Sequence, residues 1–156
     1  MTHRRIDVPR TIDAPPEAIF AVLTDPRGHV AIDGSGMLMS ASGENVKAVG
    51  DTFVVHMDRE ALNDFPLGLY DVTVAITEFE PYRAIGWTVL GAIEPPLGQV
   101  YGYTLESVEG RTLVTSYHDW SDADPVWLEA DIFPIISEVT LRATLGILAR
   151  TVASRP

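Results

Sequence analysis

The sequence predicts an α+β fold in which one curved antiparallel sheet wraps around one long helix. Three observations carry this. Residues 133–154 (FPIISEVTLRATLGILARTVAS) form the one long apolar stretch with helical spacing, and Leu141, Leu145, Leu148 and Val152 fall at i, i+4, i+7 and i+11 on one face. Six strand-like segments precede it at short intervals, the pattern of an antiparallel meander. A lone amphipathic helix must bury its stripe on something, and a sheet is what the rest of the chain offers.

Taken in order, residues 5–13 alternate, with Ile6, Val8, Arg10 and Ile12 on one face and Pro9 on the other. Pro9 cannot donate to a ladder, so this strand belongs at an edge. Pro15-Pro16-Glu17 then turns into a short helix with Ile19, Phe20, Val22 and Leu23 on its buried side. Asp25-Pro26 caps a second short helix running to about Ile32, ended by Gly34-Ser35-Gly36. The six strands are expected at 37–42, 51–59, 69–79, 83–91, 98–108 and 111–121, with Glu109-Gly110 as the tight turn before the last. Asp124-Pro125 starts a further short helix. In the long helix, Pro134 is placed in the first turn, Ile136 and Val139 widen the stripe, and Arg150 suits the C-terminal end of the dipole.

Composition narrows the function. The 156 residues suit a single domain covering 1–156, long enough for one real core. A formal charge of −11 argues against nucleic acid or an anionic membrane as partner. With 0 cysteines there is no disulfide, thiolate nucleophile or thiolate metal site. The N-terminus (MTHRRIDVPRTIDAPP) has basic residues with no apolar run behind them, and no run approaches eighteen apolar residues. The expectation is a cytoplasmic protein without signal peptide or membrane span. No phosphate-cradling glycine pattern occurs, Gly34-Ser35-Gly36 lacks the frame of a nucleophile elbow, and no HxH or HExxH spacing occurs, so no cofactor and no metal are expected.

Parity sorts the strand residues. Phe53, Val55 and Met57 share a face, which sends His56 outward. Tyr70, Val72, Val74 and Ile76 share another, as do Ile85, Trp87 and Val89, and Tyr101, Tyr103 and Leu105. In the last strand the periodicity is ambiguous: Val114, Ser116, His118 and Trp120 oppose Leu113, Thr115, Tyr117 and Asp119. His29 and Asp33, at i and i+4 on the second short helix, are either a local pair or a His–carboxylate pair fit for acid–base work. Arg10 is inward by parity with Val8 and Ile12, or an edge arginine reaching water.

An ordered set of motifs resembles the START-like, or SRPBCC, superfamily, especially its bacterial branch of polyketide cyclases/dehydrases. It comprises Ile12-Asp13-Ala14-Pro15-Pro16-Glu17 with Phe20 and Asp25-Pro26, then His29-Val30-Ala31-Ile32-Asp33-Gly34-Ser35-Gly36 and Val49-Gly50-Asp51-Thr52-Phe53. Phe79-Glu80-Pro81 with Trp87, Asp119-Trp120-Ser121, and Leu141, Leu145 and Leu148 complete it. The likeness spans essentially the whole chain and is specific for a fold, not for an activity. It implies the helix-grip fold, with seven strands around the C-terminal helix and a cavity left between them.

The resemblance also places Ser116 and His118 inside, the latter where relatives often carry tyrosine. Phe53, Val55, Met57, Tyr70, Val72, Val74, Trp87, Tyr101, Tyr103, Ser116, His118, Trp120, Leu141 and Leu145, with Arg10, are then the expected ligand-binding residues. A hydrophobic or amphipathic ligand, lipid- or polyketide-like, is the expected partner. The alternative is a cyclase or dehydratase in which His118 or the His29–Asp33 pair moves protons. Gly146 in mid-helix signals either close helix–sheet packing or space for a ligand. The segments 60–69 and 94–97 are lids over the opening or contacts of a homodimer.

Overall fold

A computed structural model describes residues 3–61, 66–91 and 93–155. The elements are β1 (Arg5–Ile12), α1 (Pro16–Leu23), α2 (Pro26–Ile32), β2 (Leu38–Ser42), β3 (Thr52–Asp58), β4 (Leu69–Glu80), β5 (Ala84–Leu90), β6 (Val100–Val108), β7 (Arg111–Asp119), α3 (Pro125–Glu129) and α4 (Glu138–Ser154). The seven strands form one antiparallel sheet in the order β1-β7-β6-β5-β4-β3-β2. Strands β2 to β7 are the meander, and β1 pairs with β7, Val8 opposite Ser116, so Pro9 stands on an edge strand. A register shift between Ile76 and Glu78 in β4 adds bend where the sheet must curve.

Helix α4 lies on the concave face. Its stripe of Leu141, Leu145, Leu148 and Val152 is buried; each such side chain contributes roughly 2 kcal/mol. The helix contacts β1, β7, α1 and α2. Val8, Ile12, Val114 and Leu105 form the core there with Phe20, Val22 and Leu23 of α1. α4 therefore fills the half of the concave face nearest β1 and β7.

Two expectations about this helix need correction. It starts at Glu138, not near Pro134, because the Ser137 side chain accepts from the Thr140 N–H at 3.2 Å and supplies the N-cap. Val139 is 76% exposed, since a first-turn residue two before Leu141 is rotated about 200° from it. Elsewhere the caps fall where expected: Asp25 accepts from Arg27 N–H at the start of α2, and Asp124 from Val126 N–H at the start of α3.

The convex face carries an unforeseen device. Tyr117, Gly102, Gly86 and Glu78 lie in one transverse row across β7, β6, β5 and β4. The Tyr117 ring lies over the two glycines, and its hydroxyl donates to Glu78 at 3.1 Å. A Cβ on Gly86 would fall 2.5 Å from that hydroxyl. Arg5 caps the ring at 4.4 Å as a cation–π contact. An outward-facing tyrosine is thereby buried.

Candidate functional site

Beyond the N-terminal turns of α4 the concave face is left open, and there lies a cavity of about 310 Å³. Its floor is β3 to β6: Val55, Met57, Tyr70, Val72, Val74, Trp87, Val89, Tyr101 and Tyr103. α2 and its following turn supply His29, Ile32, Asp33, Ser35 and Met37. Ile132, Ile135 and Ile136 before α4, and Thr140, Leu141 and Thr144 within it, form the roof. Pro66 and Leu67 from one expected lid, and Ile93 and Leu97 from around the other, border it too. Phe65, part of the first lid, lies outside the described residues.

Of the expected ligand-binding residues, Val55, Met57, Tyr70, Val72, Val74, Trp87, Tyr101, Tyr103 and Leu141 line this space, as do His29 and Asp33. Arg10, Phe53, Ser116, His118, Trp120 and Leu145 do not. Arg10 does share the parity of Val8 and Ile12, but it is exposed, with its guanidinium facing α4 near Gly146. Phe53 is buried against the His29 ring, centroids 5.0 Å apart. Ser116 and Leu145 lie in the half of the sheet that α4 covers, Ser116 opposite Val8 and Leu145 in the core.

His118 is inside, as the resemblance implied, but it is spoken for. Its Nδ1 bonds the Val100 carbonyl at 3.3 Å and its Nε2 accepts from the Ile135 N–H at 3.2 Å. That pairing fixes the neutral Nδ1–H tautomer. The ring stacks on Tyr101 at 4.3 Å and tilts against Trp120, which stacks on Phe133. Burial, partly opposed by the Val100 contact and the nearby Asp119 charge, lowers its pKa to about 4. With both nitrogens held by backbone, His118 pins the segment before α4 and has none left for a ligand.

The His29–Asp33 pair does not form. His29 Nε2–H donates to the Leu23 carbonyl at 2.8 Å. Asp33 instead caps the turn after α2, accepting from the Ser35 N–H at 2.8 Å, the Ser35 hydroxyl and the Leu38 N–H at 2.9 Å. His29 is buried with its ring edge-to-face on Trp87 at 4.8 Å, and burial lowers its pKa. No described residue bonds its Nδ1.

Two polar ends result. Tyr103 lies near Asp33; burial first, and that charge second, raise its pKa. Tyr101 lies near Arg59 and donates to Gln99 Oε1 at 3.1 Å; burial raises its pKa while Arg59 opposes the rise. Arg59 is buried, borders the cavity and reaches the Tyr70 hydroxyl at 3.5 Å. Arg59 and Gln99 were missed, although the alternation Phe53, Val55, Met57 runs on to Arg59.

His56 points outward, as its parity predicts. It contacts Asp71 through Nδ1 at 2.6 Å and the Ser42 hydroxyl through Nε2 at 3.3 Å. The order resembles a nucleophile relay, but Ser42 and Asp71 are exposed on the convex face with no enclosure to exclude water. It is a polar cross-strand row. Among the described residues no three His, Asp or Glu side chains gather as a metal site needs, and no helix is long and apolar enough to cross a membrane.

No protein-family model and no curated protein matches the sequence. Solved structures do. Protein MLL2253 from Mesorhizobium loti superposes with a TM-score of 0.67 at 19% identity, over 98% of this chain and 99% of that one. The Aha1 dimer from Colwellia psychrerythraea gives 0.62 at 22%, over 97% and 96%. DynU16, from the dynemicin biosynthetic locus, gives 0.62 at 19%, over 98% of this chain but 48% of that one, so this chain spans about half of it. At these identities the likeness establishes the fold, one antiparallel sheet gripping the C-terminal helix, and nothing of the chemistry.

Proposed function

We propose that the protein binds a hydrophobic or amphipathic small molecule, lipid- or polyketide-like, between the sheet and the N-terminal turns of α4. The observation that carries this is the cavity: about 310 Å³ of space over an apolar floor, with polar groups at two ends. Pockets for small ligands run from about 300 to 1,000 Å³ and combine apolar walls with a few placed polar groups. At the small end of that range, a compact ring system or short acyl chain fits better than a sterol. Tyr101 and Tyr103 are two residues apart on β6, so their side chains share a face about 7 Å apart. A ligand spanning them meets Arg59 and Gln99 at one end and His29 at the other.

A second reading, a cyclase or dehydratase, is favoured by one observation: the His29 imidazole is oriented by a backbone carbonyl through one nitrogen and borders the cavity. In that reading His29, rather than His118, takes the proton. The neighbour from the dynemicin locus is compatible with either, and the Colwellia dimer makes a homodimer a reasonable accompaniment. The test is a titration with short fatty acids, flavonoids and fused aromatics, following tryptophan fluorescence and thermal shift. A saturable quench that vanishes in Trp87→Phe is expected. No quench and no thermal shift across the panel would remove the proposal.

A further inference from the structure

The two tyrosines on the cavity floor differ in what is left over. Tyr101 spends its hydroxyl on Gln99. Tyr103 is only 5% exposed, yet its hydroxyl bonds no described residue. His29, 7% exposed, has Nε2 tied to Leu23 and nothing described on Nδ1. Among the described residues no fully enclosed side-chain nitrogen or oxygen lacks a partner. Both atoms therefore reach open space, and the space both rings border is the cavity. Both rings also pack on Trp87, at 4.8 and 5.8 Å between centroids.

From this we infer that the cavity holds a hydroxyl-recognition subsite, taking the O–H of a phenol or enol on the ligand. The inference rests on the cavity being a ligand site. The chemistry of the two groups selects the class. With Nε2 donating to Leu23, the neutral imidazole offers only a lone pair at Nδ1, so it needs a donor. The Tyr103 hydroxyl donates or accepts. A hydroxyl suits both: it gives its hydrogen to Nδ1 and its oxygen can receive the Tyr103 hydrogen. A ketone or ether leaves Nδ1 unpaired in an apolar site. A carboxylate would meet the Asp33 charge beside Tyr103. An ammonium would lose its hydration against walls that are mostly apolar. Sites that hydrogen-bond a ligand hydroxyl discriminate strongly against analogues lacking it.

The test uses two probes of nearly equal shape, 2-naphthol and its methyl ether 2-methoxynaphthalene, titrated calorimetrically into the full chain. The expected result is that naphthol binds at least about tenfold tighter. The wild-type protein, labelled with nitrogen-15, should show the His29 Nδ1 resonance moving on addition of naphthol and not of the ether. In His29→Phe the preference should disappear while the ether still binds, and Tyr103→Phe should reduce it. Equal affinities, or a naphthol preference with an unmoved Nδ1 resonance, overturn the subsite and leave the ligand-binding reading standing. Binding of neither probe overturns both. Should His29→Phe fail to fold, the nitrogen-15 shift and the two wild-type affinities decide the matter alone.

Discussion

The two buried histidines sit at opposite sides of one concave face and share nearly every attribute used to find functional groups. Each is inside, each packs on aromatic rings, and burial lowers the pKa of each. They differ in how many nitrogens the fold itself uses. His118 gives one to Val100 and one to Ile135. His29 gives one to Leu23. Around His118 the structure is closed: Tyr101, Trp120 and the segment before α4, with Phe133 and Ile135, fill the space. Around His29 it opens into the cavity. Burial and a displaced pKa thus mark a structural histidine as readily as a functional one. What separates them is the unused lone pair and the space in front of it.

The largest expected effect strikes the closed side. In His118→Phe the part-buried Val100 carbonyl and Ile135 N–H lose their contact with the imidazole, and each such loss costs about 1–3 kcal/mol. A loss of about 3 kcal/mol at pH 7 is expected by urea denaturation, against about 1 kcal/mol for His29→Phe, which orphans only the Leu23 carbonyl. The acid limb gives a second readout. In the unfolded chain His118 protonates near its ordinary value of about 6.5, and in the folded protein only near about 4. Between those values the unfolded state binds the extra proton, so stability is fully present above about 6.5 and falls as pH drops toward 4. The loss amounts to at most about 3 kcal/mol. Asp119, held low by the Ser121 N–H and Arg5 against the opposing effect of its own burial, contributes only at lower pH. His29, also held low by burial, contributes to the same limb, so His118→Phe should shrink the fall between about 6.5 and 4 without abolishing it. An unchanged limb would break the comparison, because His118 would then not be the closed, neutral group described.

Next in size is Gly102→Ala. A Cβ there would fall 2.6 Å from the Ile85 carbonyl oxygen and collide with the Tyr117 ring. Overpacking of this kind costs about 1–3 kcal/mol. Tyr117→Ala in the same chain should recover part of the loss by removing the ring, while the carbonyl clash persists. Naphthol affinity should be unchanged, since neither residue lines the cavity. If Gly102→Ala folds with full stability, the close packing assigned to the Tyr117 row on the convex face is wrong.

Most of the fold was legible because period and punctuation are local. The alternations put Val55, Val72, Trp87 and Tyr103 on the concave face, and Asp25 and Asp124 marked their helix starts. The site was legible only as a face, not as a place. Which half of that face remains open depends on where α4 begins and which strands it covers, and the Ser137 cap moved its start past the proline. Leu145, Ser116 and Arg10 have the right parity but lie with the half that the helix occupies. The His29–Asp33 spacing misled for a narrower reason. Asp33 is the C-cap residue, with φ −60° and ψ 110°, so its side chain no longer follows the helical direction that brings i and i+4 together. Arg59 was legible by simple continuation of β3.

The smallest effect concerns a second glycine, the one within α4. Gly146 interrupts α4 where close packing or ligand space were the two available explanations. The structure supports neither. A Cβ at this position would have one neighbour within 4 Å, the Arg10 guanidinium at 3.7 Å, an ordinary contact with the end of a flexible chain. Gly146 does not border the cavity either. Nothing then offsets the intrinsic cost of glycine in a helix interior, about 1 kcal/mol relative to alanine. Gly146→Ala should stabilise the protein by about 0.5–1 kcal/mol, raising the thermal midpoint by roughly 1–4 °C for a chain of this size. Its affinity for 2-naphthol should equal that of the wild type. Alanine therefore harms at 102, where the Tyr117 ring already occupies the space, and helps at 146, where nothing does. A drop in naphthol affinity in Gly146→Ala would show that the open region extends further along α4 than the cavity walls indicate, and that the boundary between the two sides lies nearer β1.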